Sequence, residues 1–194
     1  MSSPDTPIEP QGAPGAAVDS AELRYAASQF VTGVTIVTVR REDGTPLGLT
    51  ANSFTTVSLD PPLVLVCLDK RLRSYEAFQP GRVFAIHILA EDQSDLSTRF
   101  ARKGEDKFRG LRWREGIDGV PTLPGSLAIW ECRLAHAYNG GDHTIAVGQV
   151  ERIQLGDLTR QPLGFFRGKY IQVHRHPAAY VPEEVLELWG LGWG

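Results

Sequence analysis

Thr50-Ala51-Asn52-Ser53 is a run of small and hydroxylic residues between two apolar, strand-like stretches. Short side chains there let main-chain N–H groups approach a flat ligand or a phosphate, and Asn52 and Ser53 add donors and acceptors of their own. The same run also reads as a strand end followed by a polar loop. Two further polar patches, Asp69 to Ser74 and Arg99 to Lys107, stand where a strand or a helix is expected to end. Arg73 and Ser74 open a short predicted helix, whose N–H groups favour an anion, and a guanidinium can hold a phosphate through paired hydrogen bonds. Together the patches suit a phosphorylated cofactor. Singly, Arg71, Arg73, Arg99 and Lys107 also read as solvated surface charges.

His143 follows Gly140-Gly141-Asp142. An imidazole at such a turn can donate a hydrogen bond or titrate near neutrality, and it can equally be structural. Phe165-Phe166-Arg167-Gly168-Lys169-Tyr170 joins aromatic faces to cations, a set that could stack a heteroaromatic ring or close one end of a barrel. Other chemistries lack their motifs. The sequence has no Gly-rich phosphate loop, Gly-x-Ser-x-Gly elbow, Cys-x-x-Cys or His-Glu-x-x-His, so no metal site is expected. His174-x-His176 reads as solvated, and Cys67 and Cys132 read as buried small hydrophobes.

The elements that must position these residues follow from periodicity and turn signals. Asp19 caps a predicted helix from about Ser20 to Phe30, with Glu22 at capping-box spacing and Leu23, Ala26, Ala27 and Phe30 on one face. Val34 to Val39 and Leu47 to Ser53 flank the hairpin signal Glu42-Asp43-Gly44. Leu63 to Leu68 is continuously apolar, a strand expected to be covered on both faces. A short helix from Ser74 to Phe78 stops at Pro80-Gly81, and the strand Arg82 to Leu89 carries His87, which should find a local hydrogen bond. Glu91 to Ala101 reads as helix, and Trp113 and Pro121 to Pro124 as a loop crossing. Leu127 to Tyr138 and His143 to Leu155 pair through Asn139-Gly140-Gly141-Asp142, and Pro162 to Val173 forms a loop and a last strand. This spacing predicts a mainly β protein, an antiparallel closed or nearly closed barrel with a few short helices.

With 194 residues, 42% of them apolar and 22% charged, the chain suits one domain over residues 19–174. A disordered arm is expected over 1–18 and a tail over 175–194. The net charge of −3, with no Lys/Arg cluster, argues against nucleic acid as a partner. Two cysteines and no secretory pattern point to the cytoplasm, and apolar runs of only strand length give no membrane span.

Several motifs then stand in one order: Thr32 to Thr38, Gly48 to Ser53 with Ser58-Leu59-Asp60-Pro61-Pro62-Leu63-Val64-Leu65, Gly140 to Ile145 with Gly148-Gln149-Val150, and Pro162 to Tyr170. From about Leu23 to Tyr170 the chain resembles the flavin reductase component of two-component flavin-dependent monooxygenases. The resemblance implies an FMN-binding split barrel, a homodimer, that uses NADH or NADPH to reduce FMN or FAD for a separate monooxygenase. It implies that Pro46, Leu47, Gly48, Leu49, Thr50, Asn52 and Ser53 line the isoalloxazine ring. Cys67, Leu68, Asp69, Arg73, Ser74, Arg99 and Phe100 would hold the ribityl chain and phosphate. His143 would act on the nicotinamide side with Phe165, Phe166, Arg167, Gly168 and Tyr170. A flavin-binding protein without turnover, or a split barrel that binds haem or a protein partner, are the alternatives.

Overall fold

The computed structural model describes residues 18–104 and 106–174. The arm expected over 1–18 (except Val18), the tail over 175–194 and His176 lie outside the described residues. In chain order come helix α1 (Ser20–Ala27) and strands β1 (Thr32–Gly33), β2 (Thr35–Arg40), β3 (Pro46–Ala51), β4 (Thr55–Ser58), β5 (Leu63–Asp69) and β6 (Val83–Ile88). Helix α2 (Ser94–Ala101) follows, then β7 (Arg114–Glu115), β8 (Pro121–Thr122), β9 (Ala128–Gly140), β10 (His143–Leu155), β11 (Leu163–Phe166) and β12 (Lys169–Gln172).

Among the described residues the main sheet has seven antiparallel strands in the order β3-β2-β6-β9-β10-β5-β4. β3 and β4 stand at opposite ends of that order, yet only Asn52, Ser53 and Phe54 separate them in the chain. The sheet therefore curls until its two edges approach, which is the split barrel. Its interior holds Val37, Leu49, Val66, Leu68, Ile86 and Cys132, all buried. A second apolar cluster of Ile36, Leu89, Phe100, Phe108, Leu123 and Leu163 seats α2 and the small sheet β1-β11-β12 against the outside of the barrel.

The β2–β3 hairpin forms where expected, with Gly44 at φ 85° in the turn and the Arg41 N–H donating to Thr45 O at 3.0 Å. Antiparallel pairs alternate between bonded and non-bonded positions, so Pro46, Gly48 and Thr50, opposite Arg40, Thr38 and Ile36, turn their main-chain groups away from β2. Proline, which has no N–H, fits such an outward edge position. Asp19 caps α1 by accepting the Ala21 N–H at 2.9 Å. His87 is fully buried and finds its local bond, with Nδ1 2.9 Å from Ile36 O.

Five expectations need correction. α1 ends at Ala27, and its apolar face is open, with Leu23 62% and Phe30 76% exposed, because no described element packs on it. In β5 one face is buried and the other half-buried, so its continuous apolar run does not mark a strand covered on both sides. The helix expected from Ser74 to Phe78 is a single 3₁₀ turn, Tyr75–Ala77. The last segment is a β11–β12 hairpin, turned by Arg167 at φ 47° and Gly168 at φ 75°; a left-handed arginine hides that turn from sequence signals. The loop crossing likewise contains the short β7–β8 pair.

Candidate functional site

The outer edge of β3 meets α2, and α2 in turn meets β12. Gly48 lets the Phe100 ring lie directly on the strand, since a Cβ at position 48 would stand 2.5 Å from Phe100 Cε1. The Thr50 hydroxyl donates to Ser97 O at 2.6 Å. Lys107 Nζ donates to Gly48 O at 3.0 Å and to Phe100 O at 2.6 Å, and burial lowers the pKa of this half-buried ammonium. From the other side the Tyr170 hydroxyl donates to Ser97 Oγ at 2.9 Å and lies 3.2 Å from Thr98 Oγ1. Phe165 meets the Tyr170 ring edge-on at 5.8 Å. Ser97 thus joins β3, α2 and β12, three elements far apart in the chain.

Across the seam, Ser53 Oγ accepts the Cys67 N–H at 3.0 Å. β4 pairs with β5 only from Thr55 onward, so the Ser53 side chain supplies the partner that a longer β4 backbone would have given. Two residues further along β5, Asp69 lies opposite His143 of β10. Arg71 holds the Asp69 carboxylate well below its ordinary range through a side-chain hydrogen bond, with Nη2 2.7 Å from Oδ2. His143 Nδ1 lies 2.7 Å from Asp142 Oδ1, which leaves Nε2 without a hydrogen-bond partner among the described residues. Lys70 fastens the neighbouring turn by donating to Asn139 Oδ1 and Gly141 O, each at 2.5 Å.

Beside α2 lies a cavity of about 540 Å³ lined by Asp95, Thr98, Arg99, Arg102, Asp106 and Arg109. Three guanidinium groups against two carboxylates give it a net positive lining, which suits a phosphate. Arg99 also donates to Arg109 O, which ties α2 to the following loop. Arg102 falls within the Arg99 to Lys107 patch, whereas Arg109 lies just beyond it. The spacing Asp95, Thr98, Arg99, Arg102 was the available signal, because it marks one helical face. Arg73 is exposed, with no hydrogen bond or ion pair among the described residues, whereas Ser74 is buried. A three-residue turn has almost no dipole, so at this patch the Arg73 side chain is what can meet an anion.

The structure divides the expected site residues. Gly48, Thr50, Phe100 and Tyr170 gather around α2, and Ser53, Cys67, Asp69 and His143 gather at the far side of the seam. Asn52 lies on the connection between these groups, and Pro46 stands at the opposite, hairpin end of β3. No hydrogen bond or ring contact among the described residues joins His143 to the Phe165–Tyr170 segment. Arg167 instead reaches Gln29 Oε1 at 2.7 Å from Nε and lies over the Phe166 ring at 5.0 Å, with Gly168 beside it in the turn. Leu47, Leu49 and Leu68 pack in or against the barrel core, so a ligand could meet only their main chain. Outward main-chain donors on β3, the exposed Asn52 amide and the arginine-lined cavity are a donor set that fits a flavin, whose ring edge is polar and whose tail is phosphorylated.

Known proteins resemble the chain over most of its length. Residues 27–174 match the model of the flavin reductase like domain. FMN reductase (NADH) SmoA of Agrobacterium fabrum (strain C58 / ATCC 33970) is 47% identical over 152 residues, 78% of this chain and 85% of the relative. The reductase component of the flavin-dependent trigonelline monooxygenase of Acinetobacter baylyi is 44% identical over 149 residues, 77% of this chain but 47% of the relative. A Rhizobium meliloti relative is likewise matched over 48% of its length, so the chain spans about half of two curated relatives. The crystal structure of Streptomyces globisporus C-1027 NADH:FAD oxidoreductase SgcE6, in complex with NAD and FAD fragments, has a TM-score of 0.75 at 36% identity and covers 84% of this chain and 96% of that one. A domain match over most of the chain, with relatives above 40% identity, makes this chain a member of the flavin reductase like family.

Proposed function

We propose that this chain reduces FMN or FAD with NADH or NADPH and releases reduced flavin to a separate flavin-dependent monooxygenase. A flavin and a reduced nicotinamide held together at this site would supply two-electron hydride transfer from nicotinamide to flavin. The chain's own task is to stack and orient the two rings and to stabilise the negative charge that develops. Gly48 and Thr50 offer outward main-chain groups to the ring, with Pro46, Asn52 and Ser53 beside them. Cys67, Asp69, Arg73, Ser74 and the Arg99 cavity take the ribityl chain and phosphate, and His143 with the Phe165 to Tyr170 hairpin takes the nicotinamide side.

One observation carries the reading: at the seam between β3 and β4 a side chain, Ser53, stands in for a strand beside β5, next to the exposed Asn52, while α2 holds a basic cavity on the β3 side. The open apolar face of α1 supports a homodimer, for which light scattering on the purified chain is the test. Two free cysteines support the cytoplasm as the compartment, and no described helix is long and apolar enough to cross a membrane. Steady-state oxidation of NADH and NADPH should depend on added FMN or FAD. Absence of flavin-dependent oxidation of either nucleotide would overturn the proposal, and a yellow protein left oxidised by both would reduce it to binding without turnover.

A further inference from the structure

Lys107 reads in sequence as one charge in a solvated turn, and the structure puts it to another use. Its ammonium joins Gly48 O, on the outward edge of β3, to Phe100 O, in the last turn of α2. Lys107 and Gly48 are 59 apart in the chain, so the lysine fixes the spacing of two elements that sequence proximity does not. Both acceptors are carbonyls with a reason to want a cation. Gly48 O has no strand partner on its side, and the end of a helix carries the negative pole of its dipole. An ammonium has three donors, and among the described residues no third acceptor is present.

A neutral donor would have served as a clamp. Lysine instead leaves a full positive charge half-buried, at a cost visible in its lowered pKa. Such a charge is weakly screened, so it favours any neighbouring group that becomes more negative during reaction. Flavin reduction adds negative charge to the ring. Resting on the function proposed above, we propose that Lys107 is a positioning residue for the flavin: it locks β3 to α2 and sets a fixed positive charge along the cofactor-facing edge, favouring the reduced flavin over the oxidised one.

The test compares Lys107→Gln, which keeps a donor without charge, with Lys107→Arg, which keeps the charge. Dissociation constants for oxidised and anaerobically reduced FMN and FAD are measured by titration, beside the melting temperature of the flavin-free protein. In Lys107→Gln the affinity for reduced relative to oxidised flavin should fall about tenfold, a midpoint potential lower by about 30 mV for a two-electron couple. Lys107→Arg should hold that ratio within about twofold of the wild type. A Lys107→Gln ratio equal to the wild type's, or an Arg variant that loses the ratio as fully, would overturn the proposal. Equal weakening of both oxidation states would also overturn it, because a purely structural clamp acts that way. If Lys107→Gln does not fold, Lys107→Met, which keeps the apolar stem, is read by the same ratio. A wild-type protein that binds neither flavin defeats the functional reading itself, whereas a flavin-reducing wild type with unchanged variants defeats only the role of Lys107.

Discussion

The Phe100 ring occupies the space that a side chain at position 48 would need, with Cε1 2.5 Å and Cδ1 2.8 Å from a Cβ built on Gly48. The ring is fully buried and is held edge-on by Phe108 at a centroid distance of 5.2 Å, so it has little room to move. Gly48 is required by close approach rather than by a left-handed backbone. Gly48→Ala should therefore destabilise the protein by about 1–3 kcal/mol, the usual cost of overpacking, as measured by urea unfolding. Phe100→Leu in the same chain should return part of that loss. Strictly additive effects would show that the strand, and not the ring, yields.

Ser53 supplies the acceptor for the Cys67 N–H at the seam. Ser53→Ala should lower stability by about 1 kcal/mol, since a half-buried N–H loses its partner. Ser53→Trp should abolish flavin binding by filling the approach to the ring. Absorbance titration with FMN and FAD distinguishes the two, and a Trp variant that binds flavin normally would remove Ser53 from the site.

His143 is oriented by Asp142 through Nδ1, which leaves Nε2 for a ligand. His143→Ala should slow flavin reduction at least about tenfold, about 1.4 kcal/mol in the barrier, while weakening flavin binding less. Asp142→Asn, which can still accept at Oδ1, should have the smaller effect. Stopped-flow reduction by NADH, set beside flavin titrations, measures both steps. Equal effects on the two would show that His143 acts elsewhere.

His87 makes stability depend on pH. Burial pushes its pKa down to about 4, against the opposing pull of Ile36 O and Glu131. Both ring nitrogens are used: Nδ1 donates to Ile36 O, and Nε2 accepts the Leu123 N–H at 3.0 Å. The unfolded chain takes up the proton near pH 6.5 and the folded chain does not until about pH 4, so stability is full above 6.5 and falls as the pH drops through that window. The loss attributable to His87 is about 3 kcal/mol. Urea melts at pH 7 and pH 4.5 should show a steeper acid loss in the wild type than in His87→Gln. Parallel slopes would assign the acid sensitivity to other groups.

The sequence by itself determined the strands and most of their turns. Alternation in Val34 to Val39, the Glu42-Asp43-Gly44 signal and the Asn139 to Asp142 turn encode local geometry, and neighbours in the chain enforce it. The same local reading singles out Ser53, Arg99 and His143 as candidates, because small, basic or titratable residues beside element ends are visible in one dimension. Tertiary structure alone decided that Lys107 would bridge Gly48 and Phe100, that Arg102 and Arg109 would share a cavity with Arg99, and that Arg167 would turn a hairpin and reach Gln29, 138 residues away. It also left the apolar face of α1 uncovered and put His143 opposite Asp69, with no hydrogen bond or ring contact to the Phe165–Tyr170 hairpin among the described residues. These relations depend on how the sheet twists and where its edges meet, and no periodicity within a single segment carries that information.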